Sequence, residues 1–545
     1  MIFYAEPLVE IRTDDLAQRM ESSLVIFIIL PSLVLVPMQF IKLPSLLSNF
    51  LGRSKRVCVI GAGVSGLRAA GLLAAAGFDV TILEAQDHIG GRVHQSKELG
   101  LSIDLGASWI HGTEGNPLVA LAKKTGSTTL ACGSVYSMCA SDGNWLPHQL
   151  AHDCYEEVWE ILDLVMKNSR EQYHSLSDDA KMMDFFREEV SRRYPCPRLP
   201  EAHDTLLRQI VEMWGAFMGN DCERQSLKNL WLDDGLEGNN LFVASTYEDI
   251  LADLRSVVES KTTLRFRCEV TRVINMEPNG VDIKAADGFR ARFDDVVVTT
   301  PLGWLKRNQN VFSPPLSPAI SSAIEALGYG NLEKIFIRFP KPFWNDGDVG
   351  SEDVHEHSGK HGVDLSFPIE SLFLTPKYAG DTNPARWRQE IISFSGLPAP
   401  FSQPIIMFFV YGQWGRHLSG LVRGMERNSA GYYGILEENL CPYYSKLPNY
   451  NSDCSGCKPS QFLATDWQND RFAGHGSFTN LPVGSGDAVE HFDALRNGMG
   501  EDRGIWFAGE HTSHPGGLGT VHGAYWSGEE VAKRVAGRYN TILDP

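Results

Sequence analysis

The stretch Arg56-Val-Cys-Val-Ile-Gly-Ala-Gly-Val-Ser-Gly-Leu-Arg68 narrows the possible folds more than any other part of the chain. Val57, Val59 and Ile60 supply a short apolar strand, and Gly61, Gly63 and Gly66 follow at G-x-G-x-x-G spacing. In a strand–turn–helix unit each glycine has its own duty. Gly61 permits the tight turn, Gly63 lets the backbone approach a pyrophosphate, and Gly66 lets the helix pack close on the strand. The helix N-terminus then faces the phosphates. The helix is expected to run through Ala69 to Ala76 and to stop at Gly77. A second strand, Val80 to Leu83, ends on Glu84, an acid placed to bind an adenosine ribose. Strand, helix, second strand and acid in this order predict a Rossmann-like dinucleotide-binding unit rather than an isolated glycine turn. The motif alone does not separate NAD from FAD.

The residues that follow do. Glu84-Ala-Gln-Asp-His-Ile-Gly-Gly-Arg92 adds a second close backbone approach and a fixed cation for phosphate. Asp104-Leu-Gly-Ala-Ser-Trp-Ile-His-Gly112 comes next. On these segments the chain resembles the flavin-containing amine oxidases, most of all the polyamine (spermine) oxidases, in which a G-A-S-W-I-H-G segment runs beside the flavin. The resemblance implies FAD contacts at Arg92, Ser108, Trp109 and Ile110. His88 stands where the family usually has arginine.

Composition sets outer limits. At 545 residues, 43% hydrophobic and 21% charged, the chain has room for two or three domains with sizeable cores. Its 49 basic against 67 acidic residues leave a net charge of −18, which argues against nucleic acid as a partner. That charge suits a cationic substrate and equally a plain solvated surface. Of ten cysteines, only Cys454 and Cys457 are closely spaced, in a Ser/Asn/Gly/Pro-rich loop where they can oxidise. With no second such pair and no histidine at ligand spacing, no metal site is expected, and a reducing compartment is the default. No cysteine follows Cys457, so the covalent flavin–cysteine link of monoamine oxidases is unavailable there and FAD should be noncovalent.

Residues 1–51 read as an apolar extension. Leu24 to Val36 is interrupted by Pro31 and followed by Pro37, and it is shorter than the ~20 residues of a spanning helix. The preceding stretch mixes acids with Arg12 and Arg19, a poor signal sequence with no small-residue cleavage site. A membrane anchor, a secretory segment and an extension that packs or is disordered all remain open. Residues 24–41 are the one stretch that could touch a membrane; a cytoplasmic location is the default, with a membrane-associated or secreted one left open by the apolar segment. The final Ile-Leu-Asp-Pro carries no peroxisomal Ser-Lys-Leu address.

The rest divides by pattern. Apolar residues at helical spacing mark Pro117 to Lys124, Tyr155 to Lys167 and Leu206 to Phe217, with Glu156, Glu157, Glu160 and Asp163 as a solvated acidic face. Tyr247 to Val257 reads as a helix and Leu264 to Ile274 as one strand, where the family implies a backbone contact from Val270 to adenine. Val281 to Lys284 and Ala291 to Phe293 flank the Asp287-Gly288 turn as a hairpin, and Asp295 to Gly303 reads as a buried strand running into a loop. Residues 345–460 read as loops mixed with strands, Pro404 to Val410 being the clearest. The polar insertion Asp346 to Asp364 holds His355, His357 and His361, taken as exposed and not as a metal site.

Lys334, in Gly328-Tyr-Gly-Asn-Leu-Glu-Lys-Ile-Phe, reads alone as surface charge. By resemblance it holds a water against flavin N5. Trp467 to Phe478 is similar to the family's W-x-x-D…G-S-Y segment, with Phe478 where tyrosine is common. Ile505 to Thr512 runs as a strand into a glycine turn, and Gly519 to Gly528 opens the last helix, whose N-terminus can face flavin N1 and O2. The resemblance puts Gly509 at that turn, Glu510 at the ribityl-phosphate, and Thr520 and Val521 at the isoalloxazine. Ser513 to Gly519 lacks the tyrosine that many relatives place beside the substrate nitrogen. A cation gains from an aromatic face, so His514, Trp304 and Trp414 are candidate replacements.

The resemblance implies the amine oxidase fold: a Rossmann-like FAD-binding domain in three segments (52–113, 236–325, 461–545) with an inserted α+β substrate domain (114–235, 326–460). It implies oxidation of an amine to an imine and then an aldehyde, with O2 reduced to H2O2. His111 is the candidate for binding or deprotonating the amine, since imidazole titrates near neutrality; packing against the flavin is its other reading. Three functions stay open: polyamine oxidase, a flavin oxidase or desaturase of another substrate such as an amino acid or specialised metabolite, and a non-catalytic FAD-bound interaction protein.

Overall fold

Five strands from widely separated parts of the chain pair into one parallel sheet. Their order is Ile505–Phe507, Asp295–Val298, Arg56–Ile60, Asp79–Leu83 and Thr263–Arg265. A parallel sheet covered on both faces needs strands that are apolar throughout, and Val57, Cys58, Val59, Val296 and Val297 are wholly buried. The helices Val64–Ala75 and Val521–Arg538 cover one face with a shared core of Leu67, Leu73, Val531 and Val535. They touch through small residues: Ser65 Oγ and Ser527 Oγ lie 3.0 Å apart, and a Cβ on Gly528 would sit 2.4 Å from the Ser65 carbonyl oxygen. This computed structural model describes residues 54–131, 136–195, 203–345 and 367–543. The N-terminal extension and the stretch bearing His355, His357 and His361 lie outside the described residues.

A six-stranded sheet has the order Gln461–Ala464, Leu332–Arg338, Ile405–Tyr411, Gln389–Ser393, Glu370–Phe373 and Tyr136–Cys139. Its neighbours are antiparallel except for the last pair. Side chains alternate across it. Ile335, Ile337, Phe408 and Val410 pack beneath the helices Gly412–Val422 and Ala430–Tyr444. Phe336, Met407 and Phe409 face the opposite way, toward Trp109 and Phe242. The strand register sets Lys334 directly across from Phe409. A helical layer is built on His148–Gln172 and Met182–Arg193.

Four expectations need correction. Leu264 to Ile274 is two strands: Arg267, at φ +54°, breaks the run, so Thr263–Arg265 joins the parallel sheet and Val270–Asn275 a separate mixed one. Leu206 to Phe217 is also divided, into the helix His203–Ile210, a 3-10 turn Val211–Met213 and the short helix Trp214–Met218. The stretch read as loops and strands contains the two helices Gly412–Val422 and Ala430–Tyr444, the second tolerating Pro442 in its last turn. Beyond Val298 the chain does not stay in a loop; it enters the helix Leu302–Asn308.

On the helix His148–Gln172, Glu156, Glu160 and Asp163 are exposed. Glu157 pairs with Arg193 at 3.1 Å and His203 at 2.7 Å. Cys454 and Cys457 are free thiols. Among the described residues no helix is long and apolar enough to cross a membrane, and no group of three metal-ligating side chains occurs.

Candidate active site

The first cavity wall is made at the carboxyl ends of the parallel strands, where open α/β sheets bind their ligands. Gly61 turns the chain at φ +107°, and a Cβ there would lie 2.7 Å from Thr299 Oγ1. A Cβ on Gly66 would lie 2.1 Å from the Gly61 carbonyl oxygen, so the helix can sit this close only with glycine. Gly63 differs: its nearest neighbour would be Gly90 O at 3.9 Å, and its φ is −73°. Nothing within the chain requires glycine there. A side chain at Gly63 would instead fill the cavity, as expected of a cradle left open for a phosphate group. No side chain caps the helix that Gly63 opens, which leaves its N-terminal dipole free for an anion. Glu84 closes this end, accepting hydrogen bonds from the N–H groups of Ala62 at 2.7 Å and Gln86 at 2.8 Å.

The cavity of about 280 Å³ continues past Arg92 to the six-stranded sheet. Arg92 Nη1 donates to Glu510 Oε1 at 2.8 Å and to the Ser477 carbonyl at 2.9 Å. Glu510 also accepts from Thr479 Oγ1 at 3.0 Å and the Gly519 N–H at 3.1 Å. Burial opposes ionisation of Glu510, but Arg92 and His511 hold its carboxyl below the usual value. This ion pair therefore ties the loop after Glu84 to the start of the last helix. Thr520 caps that helix, accepting from the Gly523 N–H at 3.0 Å and donating to the Gly517 carbonyl at 2.8 Å.

At the far wall Lys334 is only 4% exposed. Its Nζ donates to Ser108 Oγ at 3.0 Å, to the Asp104 carbonyl at 3.1 Å and to the Gly106 carbonyl. Burial lowers the proton affinity of Lys334, with Asp104 opposing, and raises that of the Asp104 carboxyl. Both shifts follow from the cost of charge in a dry site. His111 lies on the same cavity. Burial, and then the imidazole of His522, push it down to about 4 against a hydrogen bond that His111 donates to Asn240. The expectation of an imidazole titrating near neutrality is thereby corrected: His111 is neutral there.

The cavity wall brings together Gly61, Gly63, Glu84, Arg92, Ser108, Trp109, His111, Val270, Lys334, Gly509, Glu510, Thr520 and Val521. Ile110 does not reach it. As the strand residue between Trp109 and His111 it points the other way, wholly buried in the core under the parallel sheet. Gly66 acts one turn back, at the helix–strand contact. Of the three candidates for the missing tyrosine, Trp304 lines the cavity. Trp414 is buried elsewhere against Trp387, and His514 is on the surface beside Glu530. His88 stacks on His94 at 4.2 Å. Sequence reasoning assigned no role to Phe409 or Trp467, which both line the cavity. Phe409 stands in the unbroken apolar run Ile405–Tyr411, buried on both faces, so no pattern in the sequence marked which of its side chains faces the cavity.

The model of the flavin containing amine oxidoreductase family matches residues 64–536. Polyamine oxidase 4 of Oryza sativa subsp. japonica is 28% identical over 497 residues, 88% of this chain and 89% of that protein. Polyamine oxidase 2 of Arabidopsis thaliana is 28% identical over 508 residues, 90% of each chain. Probable polyamine oxidase 4 of Arabidopsis thaliana is 30% identical over 300 residues, a match spanning 53% of this chain and 59% of that protein.

Proposed function

Because the chain belongs to the flavin-containing amine oxidoreductase family, we propose that it binds FAD noncovalently and oxidises an amine of the polyamine class, with O2 as acceptor. The carrying observation is the buried Lys334 ammonium, held by Asp104, Gly106 and Ser108 at the end of a cavity that begins on Gly61, Gly63 and Glu84. FAD bound there would supply a two-electron acceptor for the hydride on the carbon beside the amine nitrogen, with O2 as the terminal oxidant and H2O2 as product.

The chain's own residues do the rest. Glu84 and Val270 hold the adenosine half, and the helix start at Gly63 holds the pyrophosphate. Arg92 and Glu510 fix the middle, while Ser108, Trp109, Thr520 and Val521 frame the ring. Lys334 takes a water at the reacting edge by giving up one of its three present acceptors, and its lowered proton affinity favours proton exchange with that water. His111, neutral and half-buried, hydrogen-bonds the free-base amine, the form whose lone pair the reaction needs. Residues 52–113, 236–325 and 461–545 are assigned to the cofactor domain, and 114–235 with 326–460 to the substrate domain.

A second reading, an amine other than a polyamine, draws on the cavity's carboxylates. Glu84, Glu269, Asp470 and Glu510 all line it and all have partners: Ala62, Arg471, Phe472 and Arg92 respectively. Among the described lining residues, none is left free for a second ammonium. Peroxide release on addition of spermine, spermidine, tyramine or simple amino acids separates the two readings. Acid precipitation that frees all the yellow chromophore supports noncovalent FAD, and chromophore retained by the pellet refutes it.

A further inference from the structure

We propose that Glu333 is a positioning residue for this cavity: its carboxylate clamps the loop after the strand Gln461–Ala464 and so seats the Trp467 indole beneath the Lys334 cradle. The proposal rests on the reading of the cavity as the flavin site only for what Trp467 faces; the clamp itself is independent of it.

Glu333 precedes Lys334 in the strand Leu332–Arg338, so the two side chains leave the sheet in opposite directions. Glu333 is 1% exposed. Its carboxylate accepts from Thr465 Oγ1 at 2.6 Å, from the Trp467 N–H at 3.0 Å and from the Gln468 N–H at 2.8 Å. Thr465 is in turn stitched to Lys334. Its Oγ1 accepts from the Lys334 N–H at 2.8 Å, and its own N–H donates to the Lys334 carbonyl at 2.9 Å. Trp467 closes the circuit. Its indole N–H donates to the Leu105 carbonyl at 3.2 Å. Its ring lies 3.5 Å from where a Cβ on Gly106 would stand, and the Gly106 carbonyl accepts from Lys334 Nζ. One carboxylate thus governs the backbone of Trp467, the indole governs the Gly106 segment, and that segment orients the lysine.

Three converging donors need a group that only accepts, and a glutamine would turn an N–H2 against one of them. The arrangement is costly. Burial pushes Glu333 up to about 7 despite the pull of Thr465, Gln468 and Trp467. A strand in an apolar sheet has no need of a charge at this position; a cavity wall that must hold one orientation does.

The test is a double-mutant cycle of Glu333→Ala and Trp467→Phe in the full-length protein. The first readout is near-ultraviolet circular dichroism, which needs neither flavin nor substrate. The signal of indole 467 is the difference between each protein and its Trp467→Phe partner. We expect that signal to fall to less than about half in Glu333→Ala, because a ring freed from its clamp loses its fixed asymmetric surroundings. The second readout is the rate of flavin reduction by an amine. Glu333→Ala should slow it about 10- to 100-fold in the wild-type background and only about threefold or less in Trp467→Phe. Should Glu333→Ala not fold, Glu333→Gln takes its place, with a smaller loss in the same sense. An unchanged indole signal, or equal rate losses in both backgrounds, overturns the proposal. A protein that no amine reduces overturns the amine reading instead, and the dichroism still decides the clamp.

Discussion

At the scale of single residues, burial sets the chemistry. Lys334 and His111 share a cavity, and the same dry surroundings lower the proton affinity of both. For the lysine this brings proton exchange into the working range. For the histidine it removes titration from that range altogether. Lys334→Met should therefore lower turnover on the order of 100-fold with flavin still bound, as the visible spectrum would register. His111→Ala should weaken amine binding without changing the shape of the pH profile between pH 5 and 8, because an imidazole at about 4 carries no limb there; a limb lost with the substitution would contradict this. Asp233 offers a cleaner titration. Burial pushes it up to about 7, while Gln225 Nε2 donates to it at 3.0 Å. A carboxyl raised in the folded state binds its proton more tightly there than when unfolded, so folding loses stability as pH rises from the ordinary value through 7. Asp233→Asn keeps an acceptor for Gln225 and removes the charge. Its Tm relative to wild type should rise between pH 5 and pH 8, as thermal melts at the two pH values would show. These environments were only partly legible in the chain. Lys334 is recognisable from the residues around it, but the carbonyls of Asp104 and Gly106 that hold it come from more than two hundred positions earlier. Ile110 looked like its neighbours Trp109 and His111 until the strand alternation turned it into the core.

At the scale of elements, local signals read well where the physics is local. Strand, turn and helix from Arg56 to Ala75 obey glycine geometry within a few residues, and the structure places them as that geometry requires. Gly66→Ala should break this contact, since a methyl 2.1 Å from the Gly61 carbonyl oxygen forces helix from strand. Overpacking of this kind costs about 1–3 kcal/mol, and the variant should both melt earlier and lose flavin on gel filtration. Signals failed where tertiary packing outweighs propensity. Gly412–Val422 and Ala430–Tyr444 sit among prolines and glycines and carry Pro442, yet Trp414, Leu418, Tyr432 and Leu436 bury one face of each under the sheet. The break at Arg267 has no sequence signature, because a positive φ at arginine is imposed by the two sheets it joins.

At the scale of the whole molecule, the parallel sheet draws on three stretches of chain, near Arg56, Asp295 and Ile505, and the cavity draws on all three as well. A ligand that spans them stabilises only the folded state. FAD added to apoprotein at about 100 times its Kd should contribute about 2.7 kcal/mol, seen as a concentration-dependent rise in Tm. The resemblance in sequence reached this architecture because its motifs recur in order along the chain. It did not reach the partnering of the cavity carboxylates, which depends on Arg92 and Arg471 meeting acids far away. The most direct measurement is the visible spectrum of the purified protein, followed under anaerobic conditions as polyamines, monoamines and amino acids are added in turn. Bleaching of the flavin by an amine, reversed on admitting O2, is the predicted result. A bound flavin that dithionite bleaches and no amine touches would contradict the account.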